Sequence, residues 1–223
     1  MNIPEKLNVR KSLISCDDIG IILTGIGGQG VNFISTLLRQ AIGIRHGFFT
    51  GYDNRGGAQR YGHVCSVIRF RPSKDILIEN SESPPSGADD SKSPLAMDLP
   101  NQRADCIIAL EASEGLRFLN KFHESTIVVA DQCIVVPTNV RRDEAEYYGI
   151  ENIAEQYREI SENVFIRDFR SMARKFTGKA IDANLLALGF ALRKLNGLLI
   201  PDDFSEISHS SVLETIRFGY EIP

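Results

Sequence analysis

Ile19-Gly-Ile-Ile-Leu-Thr-Gly25-Ile-Gly-Gly-Gln-Gly30-Val31 is the stretch that decides the fold. Ile19 to Leu23 is a short apolar run, the mark of a strand covered on both faces. It ends in Gly25-Ile26-Gly27-Gly28-Gln29-Gly30. From Val31 to Ile44 the apolar positions fall at helical spacing (Val31, Ile34, Leu37, Leu38, Ala41), with Gly43 as a stop. A buried strand, a glycine turn and a helix in that order are the context in which G-x-G-x-x-G carries meaning. Glycines let the backbone turn sharply and approach a ligand with no Cβ between them. The unpaired amides of the helix's first turn and the helix dipole then favour an anion. A phosphate or diphosphate is the natural guest. The competing reading is a tight turn needed for packing alone.

Outward from this unit the same alternation continues. Strand patterns recur at Gly47–Thr50, His63–Phe70, Cys106–Leu110, Thr126–Ala130, Cys133–Val136 and Val164–Arg167. On the second of these, Val64, Ser66, Ile68 and Phe70 share one face. Helices are expected near Ser113–Phe122, over 151–160, from Asp168 as N-cap to Gly178, over Ala180–Leu195 (apolar nearly all round) and over Ser205–Arg217. The pattern is that of a three-layer α/β/α domain on a mostly parallel, possibly mixed sheet. Residues 1–18 read as an arm and 19–223 as one domain. Gly51 to Gly57 reads as a loop, and the polar stretch near 79–93 as a surface insertion.

Composition bounds the function. The chain has 223 residues, 43% of them apolar and 24% charged, within the range of globular domains. A net charge of −4 argues against a general nucleic-acid binder. Residues 19–38 are uncharged over twenty positions, enough to span a bilayer, but five glycines and several polar side chains mark them as strand, turn and helix. No membrane segment is expected, nor a signal peptide, since Asp17 and Asp18 follow the early basic residues without an apolar core. The four cysteines stand 49, 41 and 27 positions apart, and no C-x-x-C pair exists. No zinc or iron–sulfur site is expected in this chain alone, and a reduced, cytoplasmic protein is the simplest reading.

Charge is unevenly placed. Residues 39–74 hold Arg39, Arg45, Arg55, Arg60, Arg69, Arg71 and Lys74 against Asp53, a local balance of +6. Such a segment beside an anion-ready turn suits a multi-phosphate ligand or an acidic partner, unless its arginines are ordinary solvated charges. Arg60 is the best candidate, because a planar guanidinium makes bidentate contact with phosphate or carboxylate. A dinucleotide would need an acid about 20 residues after the turn; Asp53 is the one acid near that place and matches poorly. His63 is a weak ligand candidate. Glu111 and Glu114 suggest acid–base work, or simply favour the start of a helix. No nucleophile or metal constellation is visible.

Four motifs occur in order: Ile26-Gly-Gly-Gln-Gly-Val31, Gly57-Ala-Gln-Arg-Tyr-Gly-His-Val64, Leu110-Glu-Ala-Ser-Glu-Gly-Leu-Arg117 and Asn184-Leu-Leu-Ala-Leu-Gly189. Together they resemble the gamma domain of the 2-oxoacid:ferredoxin oxidoreductases over residues 19–200. Within that family the similarity is greatest to the stand-alone beta subunits of the indolepyruvate type. The chain departs from the usual pattern at Tyr61 and His63, where small residues are common, and at Asp53, where Glu is. The resemblance implies a subunit of a hetero-oligomer that oxidatively decarboxylates a 2-oxoacid to an acyl-CoA and passes electrons to ferredoxin. It implies coenzyme A at or near this chain, with thiamine diphosphate and Fe–S clusters on a large partner subunit. Gly25, Gly27, Gly28, Gln29, Gly30 and Arg60 are the candidate cofactor-binding residues; no catalytic residue and no metal ligand is assigned. Two other readings stay open: a stand-alone Rossmann-like NAD(P)- or FAD-binding oxidoreductase, and a non-catalytic interaction subunit whose glycine turn serves packing.

Overall fold

A computed structural model describes residues 18–55, 62–73, 95–136 and 148–223. Its centre is β1 (Ile19–Ile26), buried at every position. Successive side chains point to opposite faces of a sheet, so one strand feeds two cores. Ile19, Ile21 and Leu23 enter the first core, and Ile22 enters the second. The other strands are β2 (Phe49–Arg55), β3 (His63–Phe70), β4 (Cys106–Ala109), β5 (Ile127–Asp131) and β6 (Asn163–Arg167). Their spatial order is β2-β3-β1-β4-β5-β6. β1, β4, β5 and β6 pair in parallel, and β3 runs against both of its neighbours. The sheet is therefore mixed, its parallel half carrying the C-terminal edge that matters below.

Helices cover both faces. Over the first core lie α1 (Val31–His46), α4 (Phe169–Phe176), α5 (Ala183–Lys194) and α6 (Ser210–Glu221). Over the second lie α2 (Ala112–Gly115), continued as a 3-10 turn to Lys121, and α3 (Ile150–Arg158). This is the expected three-layer α/β/α arrangement. The all-apolar α5 is buried from Ala183 to Leu192, as its sequence requires. Asp168 caps α4 as expected, its carboxylate accepting from the Ser171 amide at 2.9 Å.

Several expectations differ from the structure. Residues 51–55 are not a loop but the body of β2. β2 is an edge strand, where polar side chains meet water without cost, and Gly51 serves close approach. A Cβ there would stand 2.0 Å from the Val67 carbonyl oxygen. Cys133–Val136 is not a strand. Its polar backbone goes to the helix beside it, with Ala112 N donating to Cys133 O at 2.8 Å and Val135 N to the Glu111 carboxylate at 2.8 Å. The helix expected over Ser113–Phe122 is α-helical only to Gly115. The last helix begins at Ser210 rather than Ser205, because Pro201 and the Asp203 carboxylate, bonded to Ile200 N at 2.8 Å, close a separate 3-10 turn. Asp18, assigned to the arm, is buried against Arg69 and Arg103. The stretch 79–93 lies outside the described residues.

Candidate functional site

The chain reverses direction across the sheet between β1 and β4. From β1 it passes through α1 to the β2 edge and returns through β3, then crosses to β4 on the other side. Open α/β sheets bind ligands at such switch points, outside the carboxyl ends of the strands. A cleft of about 430 Å³ lies there. Ile26, Gly27, Gly28 and Gln29 line it after β1, Leu110 after β4, Asp131 at the end of β5, and Arg170 in the first turn of α4. Ala183 and Asn184 close it from the start of α5.

The residues of the glycine turn divide by role. Gly25 is a packing glycine: a Cβ would meet Gln29 Oε1 at 2.5 Å and Leu110 Cβ at 3.2 Å. Gln29 turns inward. Its Oε1 accepts from the Ile26 amide at 2.9 Å, and its Nε2 approaches Cys133 Sγ at 3.9 Å. Gln29 thus braces the turn rather than reaching out to a ligand. Gly30 adopts φ +81, and its Cβ would stand 2.2 Å from Asn184 Nδ2. That amide donates to the Gln29 carbonyl at 3.1 Å, tying α5 to the turn. Gly27 is held by its amide, which donates to Gly62 O at 2.9 Å. Gly28 differs from Gly25 and Gly30, for at φ +98 its missing Cβ points into open space. No side chain caps α1, and its first turn holds no acid. Gly27 and Gly28 both line the cleft, Gly28 with open space beside it. Arg60 lies outside the described residues.

Three arginines of the basic segment are paired with acids of this chain. Arg39 makes a two-pronged contact with Asp53 at 2.7 and 3.1 Å, Arg45 pairs with Asp203 at 3.0 Å, and Arg69 is buried against Asp18. Asp53 is thus committed to Arg39. In the 3-2-1-4-5-6 order of dinucleotide-binding sheets the second strand lies beside the first. Here β3 stands between them, so Asp53 of the second strand is not placed next to the turn.

The two glutamates also resolve. Glu111 caps α2, accepting from Ser113 Oγ at 2.7 Å and Glu114 N at 2.8 Å with one oxygen and from Val135 N with the other. Glu114 receives His63 Nδ1 at 2.5 Å and Arg117 Nε at 2.8 Å. Burial opposes its ionisation, but those two partners outweigh it and hold the carboxyl below its usual range. The Cys65 sulfur and the Glu114 carboxylate push His63 up to about 9, so the imidazole is a cation at neutral pH. Glu111 and Glu114 are thus committed to a cap and an ion-pair cluster.

Asp131 and Arg170 were not among the residues singled out from sequence. Asp131 Oδ2 accepts from Arg170 Nε at 3.3 Å, while Asp131 Oδ1 has no hydrogen-bond partner among the described residues. Burial raises the Asp131 carboxyl to about 6, against the pull of Arg170. The one signal for Asp131 in the sequence is an acid ending an apolar strand. Among the described residues no three His, Cys, Asp or Glu side chains gather as a metal site, and no helix is long and apolar enough to cross a membrane.

The model of the pyruvate ferredoxin/flavodoxin oxidoreductase family matches residues 20–216. The chain belongs to that family. It is 26% identical over 172 residues to indolepyruvate oxidoreductase subunit IorB of Archaeoglobus fulgidus, covering 77% of this chain and 74% of that one. The IorB subunit of Pyrococcus horikoshii is 26% identical over 204 residues, covering 91% and 86%. Among solved structures, the pyruvate oxidoreductase subunit PORC of Thermotoga maritima superposes with a TM-score of 0.56 at 15% identity, over 92% of this chain and 97% of that one. The gamma subunit of a keto/oxoacid ferredoxin oxidoreductase from Geobacter sulfurreducens gives 0.54 at 16%, over 92% and 94%. The fold is that of the family's gamma subunits.

Packing accounts for residues of two further motifs. Asn184 braces the glycine turn, and Gly189 lets α6 approach, since its Cβ would stand 2.1 Å from Ile216 O. Gly115 makes room for Tyr157, whose hydroxyl donates to Ala112 O at 2.5 Å.

Proposed function

We propose that this chain is the gamma-type subunit of a 2-oxoacid:ferredoxin oxidoreductase of the indolepyruvate or arylpyruvate kind, and that its glycine-turn cleft holds coenzyme A. The observation that carries the reading is the division of labour in the turn. Gly25 and Gly30 are filled by neighbours, whereas Gly28 opens into the cleft at a conformation that side chains rarely adopt. Backbone N–H groups at an uncapped helix start suit a phosphate, and Arg170 balances the Asp131 carboxylate that lines the same cleft. The residues present therefore fit an anionic guest, with Gly28 and the start of α1 holding it and Gly27, Gln29 and Asn184 keeping the turn in shape.

Coenzyme A supplies the thiol that takes up the acyl group. Decarboxylation itself needs an electron sink that only a cofactor provides. In this reading thiamine diphosphate and the Fe–S clusters belong to a large partner subunit, ferredoxin receives the electrons through the complex, and the assembly works in the cytoplasm. The two indolepyruvate oxidoreductase relatives, each matched over most of its length, support the substrate class. The test is to purify the tagged chain anaerobically, alone and with the partner it retains. Coenzyme A-dependent reduction of ferredoxin is then assayed with indolepyruvate and with pyruvate. Turnover by the complex with indolepyruvate, and none by the isolated chain, is expected. Turnover by the isolated chain, or none by the complex with any 2-oxoacid, would overturn the proposal.

A further inference from the structure

We infer that Asp131 reads a hydrogen-bond donor, an amide N–H or a hydroxyl, on a ligand whose anionic group sits at the glycine turn. The inference rests on the reading of the cleft given above and adds a specificity-determining residue to it.

Asp131 ends β5 and lines the same cleft as Gly27 and Gly28. Its side chain is 2% exposed, so water does not reach it freely. One carboxylate oxygen has Arg170 Nε at the long distance of 3.3 Å; the other, Oδ1, makes no hydrogen bond of ordinary geometry among the described residues, and the only other donor acting on the carboxylate is the Cys133 backbone N–H. A buried acceptor left without a donor is unfavourable, and each such group calls for an explanation. Glu111 supplies the contrast. This acid follows the end of β4, one strand nearer the centre, and each of its oxygens meets a donor from Ser113, Glu114 or Val135. Of these two acids at the carboxyl ends of neighbouring strands, Asp131 alone has an oxygen without a hydrogen bond.

Its surroundings fit a ligand that brings the missing donor. Arg170 offsets the Asp131 charge, so the carboxylate does not repel an anion held by the turn. The ligand class is then an anion joined to a chain of neutral donors. A phosphopantetheine arm has this chemistry, with a phosphate at one end and amide N–H groups and a hydroxyl along its length. Pyrophosphate has the anion alone.

The experiment titrates 4′-phosphopantetheine and pyrophosphate, by calorimetry, into the full chain and into its purified complex. Wild type, Asp131→Leu and Asp131→Asn are compared. The wild type is expected to bind phosphopantetheine at least tenfold more tightly than pyrophosphate. Asp131→Leu is expected to lose at least tenfold for phosphopantetheine while pyrophosphate changes by less than twofold. Asp131→Asn, which keeps one acceptor oxygen and the side-chain shape, is expected to fall between and serves if the leucine variant does not fold. An equal loss for both ligands would assign Asp131 a structural role and overturn the inference. So would no loss for either, or no preference in the wild type; in both cases pyrophosphate binding would leave the glycine-turn reading standing. Failure of both ligands to bind the wild type would overturn the two together.

Discussion

Replacing Gly30 by alanine tests the geometry of the turn. Gly30 sits at φ +81 and ψ 22, in the left-handed region, where an L side chain costs about 1–2 kcal/mol. The added Cβ would also stand 2.2 Å from Asn184 Nδ2, so the amide must leave and its bond to Gln29 O is lost. A buried hydrogen bond contributes about 0.5–1.5 kcal/mol. Gly30→Ala should therefore destabilise by about 2–3 kcal/mol, which lowers Tm by roughly 4–12 °C in a chain of this size. Asn184→Ala alone should cost about 1–2 kcal/mol, since it leaves Gln29 O without its donor. In the double variant the clash is gone and the hydrogen bond cannot be lost twice. The double variant should thus be about 1 kcal/mol more stable than the sum of the two changes implies. Gly28→Ala, at φ +98 with open space around it, isolates the backbone cost at about 1–2 kcal/mol. Urea unfolding of the four variants gives these values. Strict additivity of Gly30→Ala and Asn184→Ala, within about 0.3 kcal/mol, would refute the reasoning.

Arg69→Ala should destabilise by about 2–3 kcal/mol, because it leaves buried Asp18 with Arg103 alone and takes a donor from Ala96 O and Asp98 O, and it should leave coenzyme A affinity unchanged in whatever fraction folds. Urea titration and calorimetry read the two effects separately. The raised pKa of His63 means that the folded chain holds a proton the unfolded chain releases above about 6.5. Its stabilisation is complete below that pH and is lost as the pH rises through about 9, by about 1 kcal/mol after allowance for solvent screening. Tm measured from pH 6 to 10 should fall by less in His63→Gln than in wild type. Gly189→Ala should cost about 1–3 kcal/mol by pushing α6 away from α5, seen as a lower urea midpoint.

What the sequence made legible follows burial. β1, α1 and α5 carry strong, continuous apolar patterns and stand where their periodicity places them. β2 was missed because an edge strand faces water and is free to carry Gly51, Asp53 and Asn54. The run Cys133–Val136 is apolar because it lies over the sheet edge and is partly covered, not because it pairs. The glycine turn was legible as a turn, but not which of its glycines are packed against neighbours and which have open space. That depends on Asn184 and Leu110, residues distant in sequence that arrive through the fold. The arginines of 39–74 read as a basic patch because Asp203 and Asp18, their partners, lie outside that window. Asp131 carries no local motif at all. It becomes visible only when β5 and α4 place it beside the turn with one oxygen unmet.

Coenzyme A bound at the glycine turn would shield the backbone amides there. The most direct measurement is amide hydrogen exchange, read by mass spectrometry, on the complex purified through this chain, with and without coenzyme A. Slowed exchange is expected in peptides spanning Gly25 to Val31 and at the end of β5 around Asp131, with no change across α6. Unaltered exchange at the turn while coenzyme A is bound, with protection confined to other segments, would contradict binding there.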